Sequence, residues 1–260
     1  MDILVSGTTA DTTAVNINQA GWVTDATHRL RIRLNGTGSG ARWDSSIYRL
    51  VVNANWARGL TIGKAINLTL QDIQGENSGS QGSTVVGTTG DFAWDLNVIG
   101  GFYRLTTAGN SNPIQVNGYG TAGWILKMRN ATLVVADGSP STGGGYSNAS
   151  LTYYAYNSTF VNRGATAINI FDQDFEGTGP TMRFKNLTLQ GPGLPEWPKA
   201  NYQQGGTPKE VISILTQDAS SPTVALRSKT VTFVDAANWD YRLSSTDNSA
   251  KNTGTDLSAD

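Results

Sequence analysis

The chain has 260 residues, no cysteine, one histidine and a formal net charge of −1 from 19 basic and 20 acidic residues. This length is enough for one large domain or two small ones, and without cysteine there is no disulfide framework, thiolate metal site or thiol nucleophile. The balanced charge argues against a nucleic-acid-binding protein, and the single histidine excludes a site built on two imidazoles.

Short apolar or alternating runs follow one another along the chain, separated by clusters of Gly, Ser, Asn and Asp. These runs are rich in β-branched and aromatic residues, which predicts strands, and no ten-residue window has a convincing helical period. The low share of charged residues, 15%, and the 30 glycines also favour an all-β protein. The predicted strands are 30–34, 48–52, 66–70, 124–128, 132–136, 167–171, 211–215 and 231–234.

The pattern Asn-x-Thr-apolar recurs, with a degenerate copy at Asn97, at spacings of 30, 33, 27 and 29 residues. A fixed period in this range indicates stacked structural units. Since the units are short strands and turns, we predict a β-solenoid. We expect the repeated asparagines to form a structural ladder at one corner of successive coils, about 4.8 Å apart, because asparagine tolerates left-handed backbone. The predicted ladder is Asn67, Asn97, Asn130, Asn157 and Asn186.

Glycosylation is the alternative interpretation of the same residues. Six Asn-x-Ser/Thr sequons, a pattern typical of glycosylated secreted proteins, begin at Asn35, Asn67, Asn130, Asn148, Asn157 and Asn186. Four of the six coincide with the repeat. The N-terminus has no basic region and only a three-residue apolar run, so no signal peptide is visible. The coincidence with the repeat therefore favours the structural interpretation.

The chain resembles the right-handed parallel β-helix proteins of the pectate-lyase-like superfamily over roughly residues 45–260. The similar segments are the repeats at Asn67, Asn157 and Asn186, and an ending in which Asp240-Tyr-Arg-Leu243 precedes a small-residue turn. The resemblance implies a single-stranded right-handed parallel β-helix, here over 29–260. Residues 1–28 show no repeat, so we predict that they form an N-terminal cap or docking segment.

Few acidic residues are arranged as an enzyme of this fold would need. The candidates are Asp72, Asp91 and Asp95, the last beside Trp94, a possible sugar-stacking ring. A glycosidase needs two carboxylates within about 10 Å, and the superfamily's lyases combine Ca²⁺-binding acids with a basic residue. No such combination stands out, which favours a non-catalytic protein; an enzyme would be a polysaccharide lyase or glycoside hydrolase.

The densest acidic cluster is Asp172, Asp174 and Glu176, which share one face if the segment is extended. Oxygen ligands suit Ca²⁺, but Arg183 occupies the position where an EF-hand loop needs Glu. We therefore predict no cofactor. If this cluster bound an ion, the ion would be Ca²⁺. The lone histidine, His28, is expected to be structural or paired with Asp25.

We therefore expect a non-catalytic structural protein of a phage-like virion: a decoration, fibre or spike-type subunit, located in the virion or outside the cell. The alternatives are the polysaccharide-acting enzyme and a glycan-binding adhesin. The expected partners are other copies of the chain, with a trimer favoured, other virion proteins, and a surface polysaccharide, but neither nucleic acid nor a membrane. Ile17, Trp22 and Val23 have no repeat partners, so we expect them to contribute to self-association.

Overall fold

The computed structural model describes residues 1–18, 21–80, 83–88, 92–107, 112–115, 123–136, 151–165, 181–191 and 210–257. They form an all-β solenoid of stacked parallel strands, which confirms the predicted fold class. Two rows of strands belong to one 13-stranded sheet, a third row forms a 4-stranded sheet, and a separate 2-stranded sheet lies near the C-terminus. We call the three rows face A, face B and face C. The predicted strand 167–171 lies outside the described residues.

Face A is the longest row, and each of its strands pairs in parallel with the next along the solenoid. Eight described strands, one per rung, contribute to it. They are β1 (Asp2–Val5), β3 (Leu30–Leu34), β6 (Ile66–Gln71), β9 (Trp94–Ile99), β12 (Trp124–Arg129), β14 (Leu151–Tyr156), and the first halves of β16 (Thr181–Gln190) and β17 (Glu210–Thr216).

Faces B and C complete the coils. Face B ends in the second halves of β16 and β17, so the long β16 joins the two rows into one sheet. The face B strands are β4 (Arg49–Val52), β7 (Gln74–Asn77), β10 (Phe102–Leu105), β13 (Thr132–Val135) and β15 (Thr159–Asn162). The face C strands are β2 (Val15–Ile17), β5 (Arg58–Ile62), β8 (Thr84–Thr88) and β11 (Ile114–Gln115).

The core consists of columns of apolar side chains that point into the solenoid from successive rungs. In face A, Leu68 is in register with Leu96, and Leu96 with Leu126. All three are buried. Trp94 and Trp124 stack with ring centres 6.0 Å apart and planes 6° apart. Because side chains alternate across a strand, the residues between these columns point outward.

Face A meets face B at a corner where the backbone is left-handed. Asn130, Asn157 and Asn186 occupy this corner on three successive rungs, with φ of 55°, 49° and 53°. The Nδ2 of Asn186 donates a hydrogen bond to Oδ1 of Asn157 at 2.9 Å. Gly100 (φ 65°) and Asp72 (φ 57°) hold the same corner on the two preceding rungs.

Asn67 and Asn97 do not lie at this corner, so the predicted ladder is wrong for these two residues. Asn67 lies inside β6 and Asn97 inside β9. The motif Asn-x-Thr-apolar fits any strand with alternating side chains, so it occurs inside one strand and at a corner elsewhere. Asn130, in contrast, directly follows Arg129, the last residue of β12.

The C-terminal residues 231–247, which we call the clasp, fold back along the outer surface of face B. The amide of Val231 donates to Oε1 of Gln190 at 2.9 Å. At the far end, the amide of Trp43 donates to the carbonyl of Trp239 at 3.0 Å. The clasp therefore links β16 to the loop that precedes β4. Its elements are β18 (Phe233–Asp235), the 3₁₀ helix Ala236–Asn238 and β19 (Asp240–Leu243), and β18 and β19 pair antiparallel.

A second apolar cluster lies between the clasp and face B. Phe102, Val134 and Val161 point outward from face B and are buried, as is Tyr241 from the clasp. The rings of Phe102 and Tyr241 stack with centres 6.0 Å apart. Residues that would face solvent on a bare sheet thus form a core of their own beneath the clasp.

Arg104 lies within this cluster between two indole rings. Its Cζ is 3.8 Å from the ring centre of Trp43 and 4.4 Å from that of Trp239. Its Nε and Nη2 donate to Oε2 of Glu76 at 2.9 and 2.6 Å. Burial lowers the pKa of Arg104, and the Glu76 carboxylate acts in the opposite direction. The guanidinium thus joins two rungs of face B to the clasp by an ion pair and by cation–π contacts.

The two ends of the solenoid differ. At the C-terminal end, the segment after β17 covers that strand: Oγ1 of Thr223 accepts from the amide of Ile214, and the amide of Lys229 donates to the carbonyl of Thr216. This covering segment includes the 3₁₀ helix Val224–Leu226. Among the described residues, neither helix is long and apolar enough to cross a membrane.

The N-terminal end carries apolar side chains on its surface. β1 pairs with β3, β2 pairs with β5, and Asp11 bridges to Leu50, so residues 1–28 add a partial rung to all three faces. Six of the twelve exposed large apolar side chains in the described part of the chain lie here. They are Met1, Ile3, Leu4, Val15, Trp22 and Val23. Ile17, in contrast, is buried.

Candidate functional site on face A

Asp95, one of the three acids considered as catalytic candidates, is held in an ion pair. It is buried on the outer side of β9, and its Oδ2 lies 2.9 Å from Nη1 of Arg29 and 3.9 Å from Nζ of Lys127. Nη2 of Arg29 also donates to the carbonyls of Asp95 and Leu68 at 2.6 and 2.8 Å. This arrangement joins three neighbouring rungs, because Arg29 directly precedes β3 while Leu68 and Asp95 lie in β6 and β9.

Trp94 does not lie beside this carboxylate as a sugar-stacking ring. Its side chain points into the core and is buried against Trp124. The reason is strand alternation: when Asp95 faces outward, its neighbour Trp94 must face inward. The proposed stacking role of Trp94 is therefore wrong.

Asp72 and Asp95 do not form a catalytic pair. Asp72 occupies the corner in register with Gly100, five residues along the rung from Asp95, which corresponds to about 16 Å. This exceeds the separation of about 5–9.5 Å between glycosidase carboxylates. Burial raises the pKa of Asp72, and a hydrogen bond from Gln71 partly opposes the rise.

The other acidic candidates lie outside the described residues. These are Asp91 and the cluster Asp172, Asp174 and Glu176. Within the described ranges, there is no group of three or more His, Asp or Glu side chains that could hold a metal ion.

His28 pairs with Asp25, which is one of the two roles that the sequence predicted for it. Nδ1 of His28 lies 2.9 Å from Oδ2 of Asp25, and both side chains are exposed. Hydrogen bonds from His28 and Thr27 lower the pKa of Asp25. The three residues form a local turn in which the carboxylate accepts backbone amides, and the described structure brings no further acid to it.

The outer surface of face A, in contrast, collects positive charge. The strand register places six cations and three anions at its described outer positions, although the whole chain has a net charge of −1. A seventh cation, Arg29, directly precedes β3 and pairs with the outward-facing Asp95. We call this surface the basic strip. The cations are Arg29, Arg31, Arg33, Lys127, Arg129, Arg183 and Lys185, and the anions are Asp2, Asp95 and Glu210.

Two tyrosines lie among the cations on three adjacent rungs. In one column Tyr154 is in register with Lys127 on one side and Arg183 on the other. In the next column Tyr156 lies in register with Arg129. The two tyrosine rings stack with centres 6.0 Å apart and planes 8° apart.

Cations lie near both rings. The Cζ of Arg183 is 5.4 Å from the Tyr154 ring centre, and the Cζ of Arg129 is 5.6 Å from the Tyr156 ring centre. Lys185 lies 5.4 Å from the Tyr156 ring. These distances fall within the range of cation–π interactions. Tyr156 and Lys185 are buried, whereas Tyr154 is partly exposed and Arg129 is exposed.

Two grooves lie along the basic strip. One, of about 200 Å³, is lined by Asn97, Ile99, Lys127 and Arg129. The other, of about 480 Å³, lies at the N-terminal end, where Trp22, Val23 and Met1 meet Arg29 and Arg31.

Sequence reasoning missed the basic strip because its members are far apart along the chain. Lys127 and Arg129 alternate with buried residues in β12, which is a visible signal of an outward-facing pair. Only the register shows that Tyr154 and Arg183, 27 and 56 residues after Lys127, stand beside it. The clasp was also missed, since nothing local connects Trp239 with Arg104.

Comparison with models of protein families, with curated proteins and with solved structures gives no match to this chain.

Proposed function

We propose that this chain is a non-catalytic structural protein of the pectate-lyase-like β-helix type, serving as a decoration, fibre or spike-type subunit of a phage-like virion. The observation that carries the proposal is the clasp, which runs back from β16 to the loop before β4 and ties the coils together on face B. A solenoid reinforced along its length suits an external fitting that must keep its shape.

The state of the acids supports a non-catalytic role. Asp95 forms an ion pair with Arg29 at 2.9 Å, and Asp72 lies too far away to act with it. A general acid or base must be free to exchange a proton with substrate, and Asp95 is committed to its cationic partners. The enzyme alternative would need a different pair of carboxylates.

Self-association is part of the proposal. An exposed cluster of apolar side chains larger than a few hundred Å² marks an interaction surface, and the N-terminal end concentrates such residues. We expect a homo-oligomer, with a trimer favoured, docked through this end to its own copies or to another virion protein. Sedimentation equilibrium tests this: a monomer at tens of micromolar would contradict it.

Two measurements test the proposed function. Immunogold labelling of particles from cultures that produce the protein should decorate the particle surface, and unlabelled particles would overturn the virion assignment. Incubation with a panel of polysaccharides should release neither reducing ends nor unsaturated products. Product release that is abolished in Asp95→Asn or Asp72→Asn would establish the enzyme instead.

A further inference from the structure

We propose that the basic strip of face A binds an acidic polysaccharide, a sugar chain carrying carboxylate or sulfate groups, laid along the solenoid across β9, β12, β14 and β16. This goes beyond the structural role proposed above, and it does not require that the chain belongs to a virion. The binding groups are the groove formed by Lys127, Arg129 and Asn97, with Tyr154 and Arg183 on the next two rungs.

The charge balance of the strip leaves room for a ligand anion. The three anions are already engaged. Asp95 pairs with Arg29 at 2.9 Å, and Asp2 pairs with Arg33 at 3.2 Å. Glu210 pairs with Lys185 at 3.0 Å and lies 3.7 Å from Arg183. Lys127 lies at the limit of an ion pair with Asp95, at 3.9 Å. Arg129 is exposed and has no ion pair among the described residues. The positive charge is therefore left uncompensated at the groove.

The groove itself offers a site for one sugar unit with its acidic group. Lys127 and Arg129 provide charged donors, the Asn97 amide provides a donor and an acceptor, and Ile99 gives an apolar surface. A guanidinium binds carboxylate or sulfate oxygens through several parallel N–H donors. The groove thus combines an anion site with hydrogen-bonding groups for neighbouring hydroxyls.

The tyrosines extend the site along the axis. Tyr154 is partly exposed and is held in place by its stack on Tyr156 and by Arg183. A fixed aromatic ring presents an apolar surface together with a polar hydroxyl, and the apolar C–H face of a sugar can pack on it. Since Tyr154 is one rung from Lys127, about 4.8 Å away, both can contact one continuous chain.

The spacing of the charges favours a polysaccharide over a nucleic acid. The cation pairs of β3, β12 and β16 are separated by three rungs and then two, which corresponds to about 14 Å and 10 Å. Between them lie the neutral outer residues Thr69, Gln71 and Asn97, which suit hydroxyl groups. Duplex DNA carries one charge per about 1.7 Å of axis, so most of its phosphates would face no cation here.

The test uses the full chain with three probes. Dextran sulfate and unmodified dextran form a matched pair that shares one backbone, and alginate is a second acidic polysaccharide. Affinity gel electrophoresis or isothermal titration calorimetry should show binding to dextran sulfate and to alginate, weaker binding in higher salt, and no binding to unmodified dextran. Lys127→Ala with Arg129→Ala should reduce the affinity for the charged probes at least tenfold, and Tyr154→Ala at least threefold. The double variant Lys229→Ala with Lys251→Ala, which removes two cations outside face A, should change it less than twofold.

Each other result would overturn the proposal. Equal binding to dextran would show that the charge is irrelevant, and equal loss in the control variant would show binding to net charge alone. Stronger binding to a DNA duplex than to dextran sulfate would assign the strip to nucleic acid. Circular dichroism and thermal melting establish that the variants are folded, and Lys127→Gln with Arg129→Gln keeps the test open if the alanine variant is unstable.

The outcome can be separated from that of the proposed function. Binding is measured by mobility or heat, whereas the structural role is tested by particle labelling and product release. A chain that labels particles but binds no acidic polysaccharide would contradict only this inference. A chain that binds and cleaves the probe would contradict the non-catalytic role.

Discussion

Faces A and B are built from the same rungs but have opposite outer surfaces. Face B turns Phe102, Val134 and Val161 outward, and the clasp buries them. Face A turns outward a row of cations and polar side chains, with Arg129 exposed. In this solenoid, the outward-pointing side chains of each strand therefore determine whether a face is covered by another segment of the chain or stays exposed as a contact surface.

The largest effect is expected where the clasp meets face B. Arg104→Ala removes one partner of a largely buried ion pair and leaves Glu76 without its cation, which should lower the free energy of unfolding by about 3 kcal/mol. Urea denaturation measures this change. The control is Arg33→Ala on face A, whose exposed pair with Asp2 should contribute at most about 1 kcal/mol. Equal effects of the two variants would remove the distinction between the faces.

The corner between the faces should give an intermediate effect. Asn157 has φ 49° and accepts a hydrogen bond from Asn186. Asn157→Ala replaces a residue that tolerates left-handed backbone with one that does not, at a cost of roughly 1–2 kcal/mol, and removes the acceptor. Asn157→Gly keeps the backbone and should be the less destabilising change by urea denaturation. If alanine proved the better tolerated residue, the ladder would have no structural role.

The clasp should weaken in acid. Hydrogen bonds from the Arg242 side chain are the main cause of the lowered pKa of Asp240. A carboxyl with a lowered folded pKa stabilises the protein above its unfolded pKa of about 3.9, and this stabilisation is lost as pH falls through the folded pKa. Urea midpoints should therefore fall as the pH is lowered from about 5 to about 2. They should fall less in Asp240→Asn; an equal fall would place the acid-sensitive group elsewhere.

The smallest effect is expected at Asp72, where the sign is reversed. Burial raises its pKa, so the charged form is unfavourable in the folded protein and the cost grows as pH rises through the folded pKa. Asp72→Asn removes the charge and keeps a residue that tolerates the left-handed corner. At pH 7 the variant should be as stable as the parent or up to about 1 kcal/mol more stable in urea denaturation. A loss of stability would mean that the carboxylate has a partner worth keeping.

The sequence determined the repeat, the all-β class and the solenoid, because these follow from local alternation and a period near 30 residues. It also pointed to the αL corner, correctly placing Asn130, Asn157 and Asn186 there. It could not separate them from Asn67 and Asn97, since the same four-residue pattern satisfies a strand interior and a corner alike. The αL tolerance of Asp and Gly at 72 and 100 was the overlooked local signal.

The tertiary structure alone decided what lies beside what. Because side chains alternate along a strand, Trp94 points inward and Asp95 points outward. The register of the parallel strands places Lys127 beside Tyr154, and the fold brings Asp95 to Arg29. The clasp joined Trp239 to Arg104 across more than half the chain. The physical reason is that a solenoid converts a sequence separation of about one coil into a rung spacing of about 4.8 Å, so its surfaces are assembled from residues that no local pattern connects.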